Sequence, residues 1–229
     1  MTYNIVEYQN DSAGNTMLGN MYKQILYPAF PNEDERESLE NLVKYMQEDC
    51  EGEKRHVIFI LINNAIVGSM IFSYFQEVNA GFNSYIVVDN KHKRKGYASL
   101  LINEAMKILK QDVKENGQES LAYVFCEINK FNNGIPSSAY MIDRLGYMLV
   151  DVEYTQPPLS VDKSASNDLY LAVWSENKEC IPTVDIKLFI CSFFGKAFNI
   201  PLDMREQYIK LMYNRLSNKE TVRLIKIIK

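Results

Sequence analysis

The sequence predicts a mixed α/β domain, with a largely antiparallel sheet flanked by helices, followed by a C-terminal helical extension. Three observations lead there. The elements read β, α, α, β, β, β, α, β, α, β, β along residues 3–174. Three of the strands, at 56–63, 65–75 and 82–88, follow one another with short connections, as antiparallel neighbours do. Beyond Pro182 the apolar residues recur at helical rather than strand spacing. The expected division is therefore 1–175 for the α/β domain and 182–229 for the extension.

Each element has its own signal. YNIVEYQ at 3–9 is rich in β-formers, and the polar DSAGN after it reads as a loop. Residues 17–30 and 35–49 read as helices, the second carrying Leu39, Leu42, Val43 and Met46 on one face with Asn32 or Asp34 as its cap. Asn63 and Asn64 suit a tight turn between two strands, because asparagine tolerates positive φ. Ala98, Leu101, Ile102, Ala105, Met106 and Leu109 line a helix that stops near Asn116 and Gly117. LAYVFCEI at 121–128 is an apolar run suited to a strand covered on both faces. A helix follows from Ser137 to Gly146, and strands at 147–155 and 168–174 flank the loop TQPPLSVDKSASN. In the extension, Met204, Tyr208, Leu211, Met212 and Leu216 form a stripe, and TVRLIKIIK at 221–229 reads as a short amphipathic helix.

Composition removes several function classes. With 47% hydrophobic and 24% charged residues, the chain is neither disordered nor a disulfide scaffold. Residues 205–229 hold seven basic and two acidic side chains, a net of +5, which leaves −9 on residues 1–204. Such an acidic body has no general attraction to nucleic acid, and the basic tail reads as a solvated helix face or a contact for an anionic surface. Cys50, Cys126, Cys180 and Cys191 form no CxxC pair and lie away from His56 and His92, so no metal site is expected. MTYNIVEYQN lacks the basic and apolar regions of a signal peptide, which points to a cytoplasmic protein. The apolar stretch VDIKLFICSFFGKAFNI at 184–200 is broken by Asp185, Lys187 and Lys196, so it predicts a packed helix rather than a transmembrane span. Its phenylalanines call for burial against the core or against a second copy, making a homodimer through these helices an expectation.

Chemistry concentrates in YIVVDNKHKRKGYASLLINEAMKIL, residues 85–109. A β-rich run feeds a cationic loop that opens directly into an amphipathic helix. Amides at a helix start have no internal partner and, with the helix dipole, attract anions. Gly96 and Ala98 leave those amides accessible, while Lys93, Arg94 and Lys95 add positive charge. A phosphate-bearing ligand fits, although a solvated loop or a nonspecific nucleic-acid patch would also account for KHKRK alone. Neither GxGxxG nor GxxxxGK[ST] is present.

These residues resemble the cofactor motif of the GNAT superfamily of N-acetyltransferases, a hydrophobic strand end followed after a spacer by [Q/R]-x-x-G-x-[G/A]. Lys93-Arg94-Lys95-Gly96-Tyr97-Ala98 stands for the signature, with Lys93 in place of Gln or Arg. The resemblance implies that the backbone of Ile86, Val87 and Val88 bonds the pantetheine arm of acetyl-CoA or another acyl-CoA. It also implies that amides of Arg94 to Ser99 hold the pyrophosphate. Ala139 to Tyr147 is similar to the family's A-x-x-x-Y-x-x-x-G-[F/Y] helix ending, and the resemblance covers residues 3–174.

The catalytic residues depart from the family pattern. Where many members carry a Tyr beside the leaving thiolate, this chain has Ile142. Tyr140 lies two residues earlier, about 200° around a helix, and reads either as the acid or as a packed aromatic. The family's Asn before the Ala is displaced, with Pro136 in its place and Asn132 and Asn133 upstream. Glu127, near the end of an apolar strand, is the candidate general base if its pKa is raised, or else an outward or ion-paired side chain. His92 reads as a loop-surface residue and Cys126 as a core one. The resemblance implies direct acyl transfer to a primary amine. The alternative is a catalytically weak acyl-CoA-binding module that acts through its C-terminal helices.

Overall fold

The computed structural model describes residues 2–131, 134–177 and 179–228. The chain divides into two compact units, Met1–Tyr74 with Asn83–Ser120, and Phe75–Phe82 with Leu121–Lys229. In the first, β1 (Asn4–Glu7), β2 (Glu53–Ile62), β3 (Ala65–Phe75) and β4 (Ala80–Val88) are neighbours in that order. Asn63 and Asn64 take φ of 49° and 64°, the left-handed pair that a two-residue hairpin turn requires, so β2 and β3 are antiparallel. β1 also pairs antiparallel with β2, placing Ile5 opposite Ile60.

The helices of this unit begin elsewhere than expected, because capping side chains look like loop residues in a sequence. α1 (Ser12–Met21) starts inside the polar DSAGN stretch, where the Asp11 carboxylate accepts from Gly14 N at 2.7 Å. It passes through a π turn at Tyr22–Leu26 into the short α2 (Tyr27–Ala29). α3 (Leu39–Gln47) is capped by Ser38, whose hydroxyl accepts from Asn41 N at 3.0 Å. Of the two expected caps, Asn32 serves a 3-10 turn at Glu33–Glu35 instead, and Asp34 lies within that turn. Arg36 after it is buried, with its guanidinium 4.2 Å from the Tyr27 ring centre, so the chain stays extended there. Leu18, Met21, Leu26, Leu42, Val57, Phe59, Ile71 and Val87 share the core of this unit.

α4 (Tyr97–Glu115) is tied to β2 by a polar cluster. His56 sits with Nδ1 2.6 Å from Glu7 Oε1 and Nε2 3.0 Å from Asp112 Oδ2, stacked on Phe72. Lys54 Nζ reaches Asp112 at 3.2 Å. Desolvation opposes the charge on His56, but the bonds to Asp112 and Glu7 outweigh it and raise the imidazole from its ordinary 6.5 to about 9.

In the second unit the strand order is β5-β7-β6-β9-β8, from β5 (Tyr123–Asn129), β6 (Met148–Val150), β7 (Leu169–Ser175), β8 (Cys180–Pro182) and β9 (Thr221–Lys226). All four pairings are antiparallel. α5 (Ser137–Arg144) precedes β6, while α6 (Thr183–Lys196) and α7 (Leu202–Arg215) lie between β8 and β9. Two expectations are corrected. The strand expected over 147–155 pairs only through Val150, after which the chain bends. The helix expected at 221–229 is the strand β9, in which Val222 and Leu224 are buried while Thr221 and Arg223 are exposed. Alternation of two, with β-branched residues, wins over the weak helical pattern there.

The aromatic residues of α6 do seek burial. Phe189 stacks on Phe125 of β5 at 3.9 Å between ring centres, and Phe193, Phe194 and Phe198 join the same core with Leu171 and Val173 of β7. Leu188 of the same helix instead faces solvent, at 44% exposure. Among the described residues no helix is long and apolar enough to cross a membrane.

Two outcomes follow from this packing. Truncation after Ser175 strips these rings from β5 and β7, each worth about 1.5–3 kcal/mol. The shortened chain is expected to be insoluble or to melt well below the full chain in a thermal scan. For His56, a folded pKa raised above its ordinary value means that its contribution is fully present below pH 6.5 and is lost as pH rises through about 9. Urea melts of the wild type and His56→Gln at pH 6 and pH 9.5 should show a gap of about 2–3 kcal/mol at the lower pH only.

Candidate active site

The expected cofactor residues are gathered in the first unit, at the end of β4 and the start of α4. Val87 is buried in the core of that unit, whereas Ile86 and Val88 are half-buried. A small hollow of about 30 Å³ borders Val88, Asp89 and Asn90 on one side and Gln24, Ile25, Pro28 and Ala29 on the other. After Val88 the backbone makes a 3-10 turn at Asn90–His92, capped by Asp89. His92 Nδ1 lies 3.1 Å from the Asp89 carboxylate, so this histidine is a partner of the turn. Lys93, Arg94 and Lys95 are exposed.

The backbone then turns sharply. Arg94 and Gly96 both adopt the left-handed conformation, at φ 63° and 84°. Such a conformation is unfavourable for arginine and marks loops whose shape serves a purpose. Gly96 is the N-cap of α4, and the first intrahelical bond runs from Leu100 N to Gly96 O at 3.1 Å. The amides of Tyr97, Ala98 and Ser99 precede that bond and have no intrahelical acceptor. A Cβ placed on Gly96 would meet nothing within 4 Å, so the N-cap itself is uncrowded. At Gly68 of β3 the opposite holds. A Cβ there would lie 3.1 Å from Val87 O and 3.4 Å from Leu101, and its absence lets α4 approach the end of β4. A diphosphate fits this donor set: three free amides at the positive end of a helix dipole, an uncrowded N-cap and flanking cations.

Glu127 and Tyr140 belong to the second unit. Glu127 is half-buried on β5, facing away from the buried Cys126 as strand alternation dictates. Tyr154 O–H donates to Glu127 Oε1 at 2.5 Å, and Gln156 Nε2 donates to Oε2 at 2.9 Å. Desolvation pushes the Glu127 carboxyl up to about 7, partly opposed by the Tyr154 hydrogen bond. That value suits a group exchanging protons near neutrality. Burial, with the Glu127 charge beside it, pushes the Cys126 thiol up, away from nucleophilic use.

Tyr140 is 46% exposed on α5, while Ile142 is buried. The tyrosine bonded to Glu127 is thus Tyr154, which belongs to no motif and stands at the end of an expected strand. The bend after Val150 aims it. Its only sequence signal is its place before Gln156-Pro157-Pro158, where a strand must stop. Asn132 and Asn133, weighed against the family's Asn, lie outside the described residues. Among the described residues, no three His, Cys, Asp or Glu side chains converge on a metal position.

An open, cation-flanked helix start beside a strand end offers donors of the kind a phosphate-bearing ligand requires. Residues 19–131 match the model of the acetyltransferase (GNAT) family. Solved structures share the fold at low identity. An N-acetyltransferase from Staphylococcus aureus Mu50 is 13% identical, with 76% of this chain and 99% of that one covered at a TM-score of 0.53. The aminoglycoside 6'-N-acetyltransferase from Enterococcus faecium is 13% identical, with 75% and 96% covered at a TM-score of 0.51. No curated protein matches the chain at a significant level.

Burial of an ionisable Glu127 has a measurable cost. Its folded pKa of about 7 lies above the ordinary 4.5, so its protonation favours the folded state at low pH and that benefit is lost as pH rises through 7. Glu127→Gln removes the charge and keeps an acceptor for Tyr154. In thermal scans the variant should gain on the wild type by about 1–3 kcal/mol between pH 5 and pH 8.5.

Proposed function

We propose that this protein is an acyl-CoA-dependent N-acyltransferase, with acetyl-CoA as donor, that passes the acyl group directly to a primary amine. The family supports acetyl transfer in general, and the observation that carries the reading further is the left-handed Gly96 opening α4 at an uncrowded N-cap. In this reading the amides of Arg94 to Ser99 hold the pyrophosphate, with Lys93, Arg94 and Lys95 neutralising its charge. Ile86, Val87 and Val88 offer strand-end backbone to the pantetheine arm. Bound acyl-CoA supplies an activated thioester.

Glu127 then acts as the general base. An amine reaches a neutral-pH enzyme as an ammonium, and it attacks only after losing a proton. A carboxylate with a pKa of about 7 accepts that proton and can release it again at the same pH. Tyr140 remains the acid candidate that the resemblance suggests, with a smaller role, because a departing thiolate with an ordinary pKa near 8.5 can take its proton from solvent.

Ile142 favours a second reading. It is buried where many family members place a tyrosine, which suits a module that binds acyl-CoA and turns it over poorly. Turnover of acetyl-CoA on a panel of primary amines separates the two readings, with none expected from the binding module. On the enzymatic reading, Glu127→Gln lowers turnover roughly 100-fold while CoA affinity is kept.

The loop assignment is tested by calorimetry with CoA. Gly96→Gln is expected to weaken binding at least tenfold, about 1.4 kcal/mol. Gly117→Gln is the control, because Gly117 also takes a left-handed φ, 72°, with open space at its Cβ, but after the other end of α4. Equal affinity in the wild type and a folded Gly96→Gln would remove the loop from the site.

A further inference from the structure

Residues 153–156 form a short extended segment whose side chains alternate between two tasks. Tyr154 and Gln156 reach the two oxygens of Glu127, at 2.5 and 2.9 Å. The intervening residues are held from α7. Arg215 Nη1 donates to the Glu153 carbonyl at 2.9 Å and to Thr155 Oγ1 at 2.7 Å. Thr155 is buried and also donates to Asn167, and its neighbour Gln156 pairs with Ser166 through two backbone bonds of 2.9 and 3.0 Å. α6 contributes as well, since the buried Tyr154 ring packs on Phe194 at 6.2 Å. One strand-like segment thus presents one pair of side chains to the carboxylate and is gripped on the other pair by a helix near the C-terminus.

We propose that Tyr154 and Gln156 are positioning residues for Glu127, and that Arg215 of α7 sets their place, so that the C-terminal helices support the catalytic carboxylate. The proposal rests on the reading of Glu127 as the general base. Physically, a carboxylate bonded through both oxygens has a fixed plane, leaving its remaining lone pairs aimed in fixed directions. Without Arg215 the 153–156 segment would keep its backbone bridge to Ser166 but lose its second anchor. Tyr154 and Gln156 are the groups that face Glu127 from that segment, and Cys126, its neighbour on β5, points to the opposite side.

The test is a carboxyl titration by NMR on the full chain carrying ¹³C-labelled glutamate, with the Glu127 signal identified by its loss in Glu127→Gln. The wild-type signal should titrate near pH 7. Tyr154→Phe should move the titration upward by roughly half a unit or more, because the donor that favours the charged form is gone. Arg215→Met should move it in the same direction, although Arg215 touches no atom of Glu127, and Arg215→Lys should restore part of the shift. If Tyr154→Phe does not fold, the half-buried Gln156→Leu takes its place. A merely structural Arg215 would lower the melting temperature and leave the titration where it was, and that result overturns the proposal. Failure of the base reading looks different: Glu127→Gln would keep full turnover on the amine panel, while the titrations of the other variants still shifted.

Discussion

A carboxylate set in an apolar strand has to be answered by donors, and much of the second unit is arranged around that requirement. β5 runs YVFCEIN, and its Phe125, with Tyr123 beside it, packs in one core with residues of β7 and α6. Glu127 interrupts the run. Its partners are neutral, a phenol and an amide. Neutral donors stabilise the charged form less than a guanidinium would, which leaves desolvation the larger influence and the proton exchangeable near neutrality. An arginine in place of Gln156 would make a tighter pair and a poorer base.

The same economy of charge governs the first unit. The anion site proposed there would depend on backbone donors at the start of α4, supplemented by exposed cations, so the geometry of the loop would matter more than its side chains. Gly68 and Gly96 set that geometry in opposite ways. One lets a helix come close, and the other lets the chain turn left-handed and leaves the N-cap uncrowded. At the far end of α4, His56, Asp112 and Lys54 fasten the helix to β2. A helix anchored at one end can present its other end with little freedom.

The turn from β4 into α4, where the cofactor is proposed to bind, is legible in the sequence because its signals are local. Strand, cations, Gly-x-Ala and helix follow one another within twenty residues, and each keeps its meaning without knowledge of the fold. The Glu127 surroundings were only half legible. An acidic residue in an apolar run is visible, but its partners lie 27 and 29 positions away in a segment whose bend follows from sheet pairing rather than from propensity. Tyr140 drew attention through its motif position, and motif position cannot reveal which face of a helix is left outside. Helix starts were misplaced for a related reason. Asp11 and Ser38 cap their helices through one side-chain hydrogen bond each, and in a sequence both read as loop.

β9 carries a consequence for how the chain comes together during synthesis. It lies between β6 and β8, pairing Leu149 with Ile225 and Ile181 with Val222. β6 therefore acquires one of its two neighbours only after some 75 further residues, two helices among them, have been made. Until then β6 presents an unpaired edge, and β8 has no strand beside it in this sheet. A ribosome that slows or stops between α7 and β9 would release an intermediate with an exposed apolar edge. Such a species is the kind that a chaperone holds or that a neighbouring nascent chain captures.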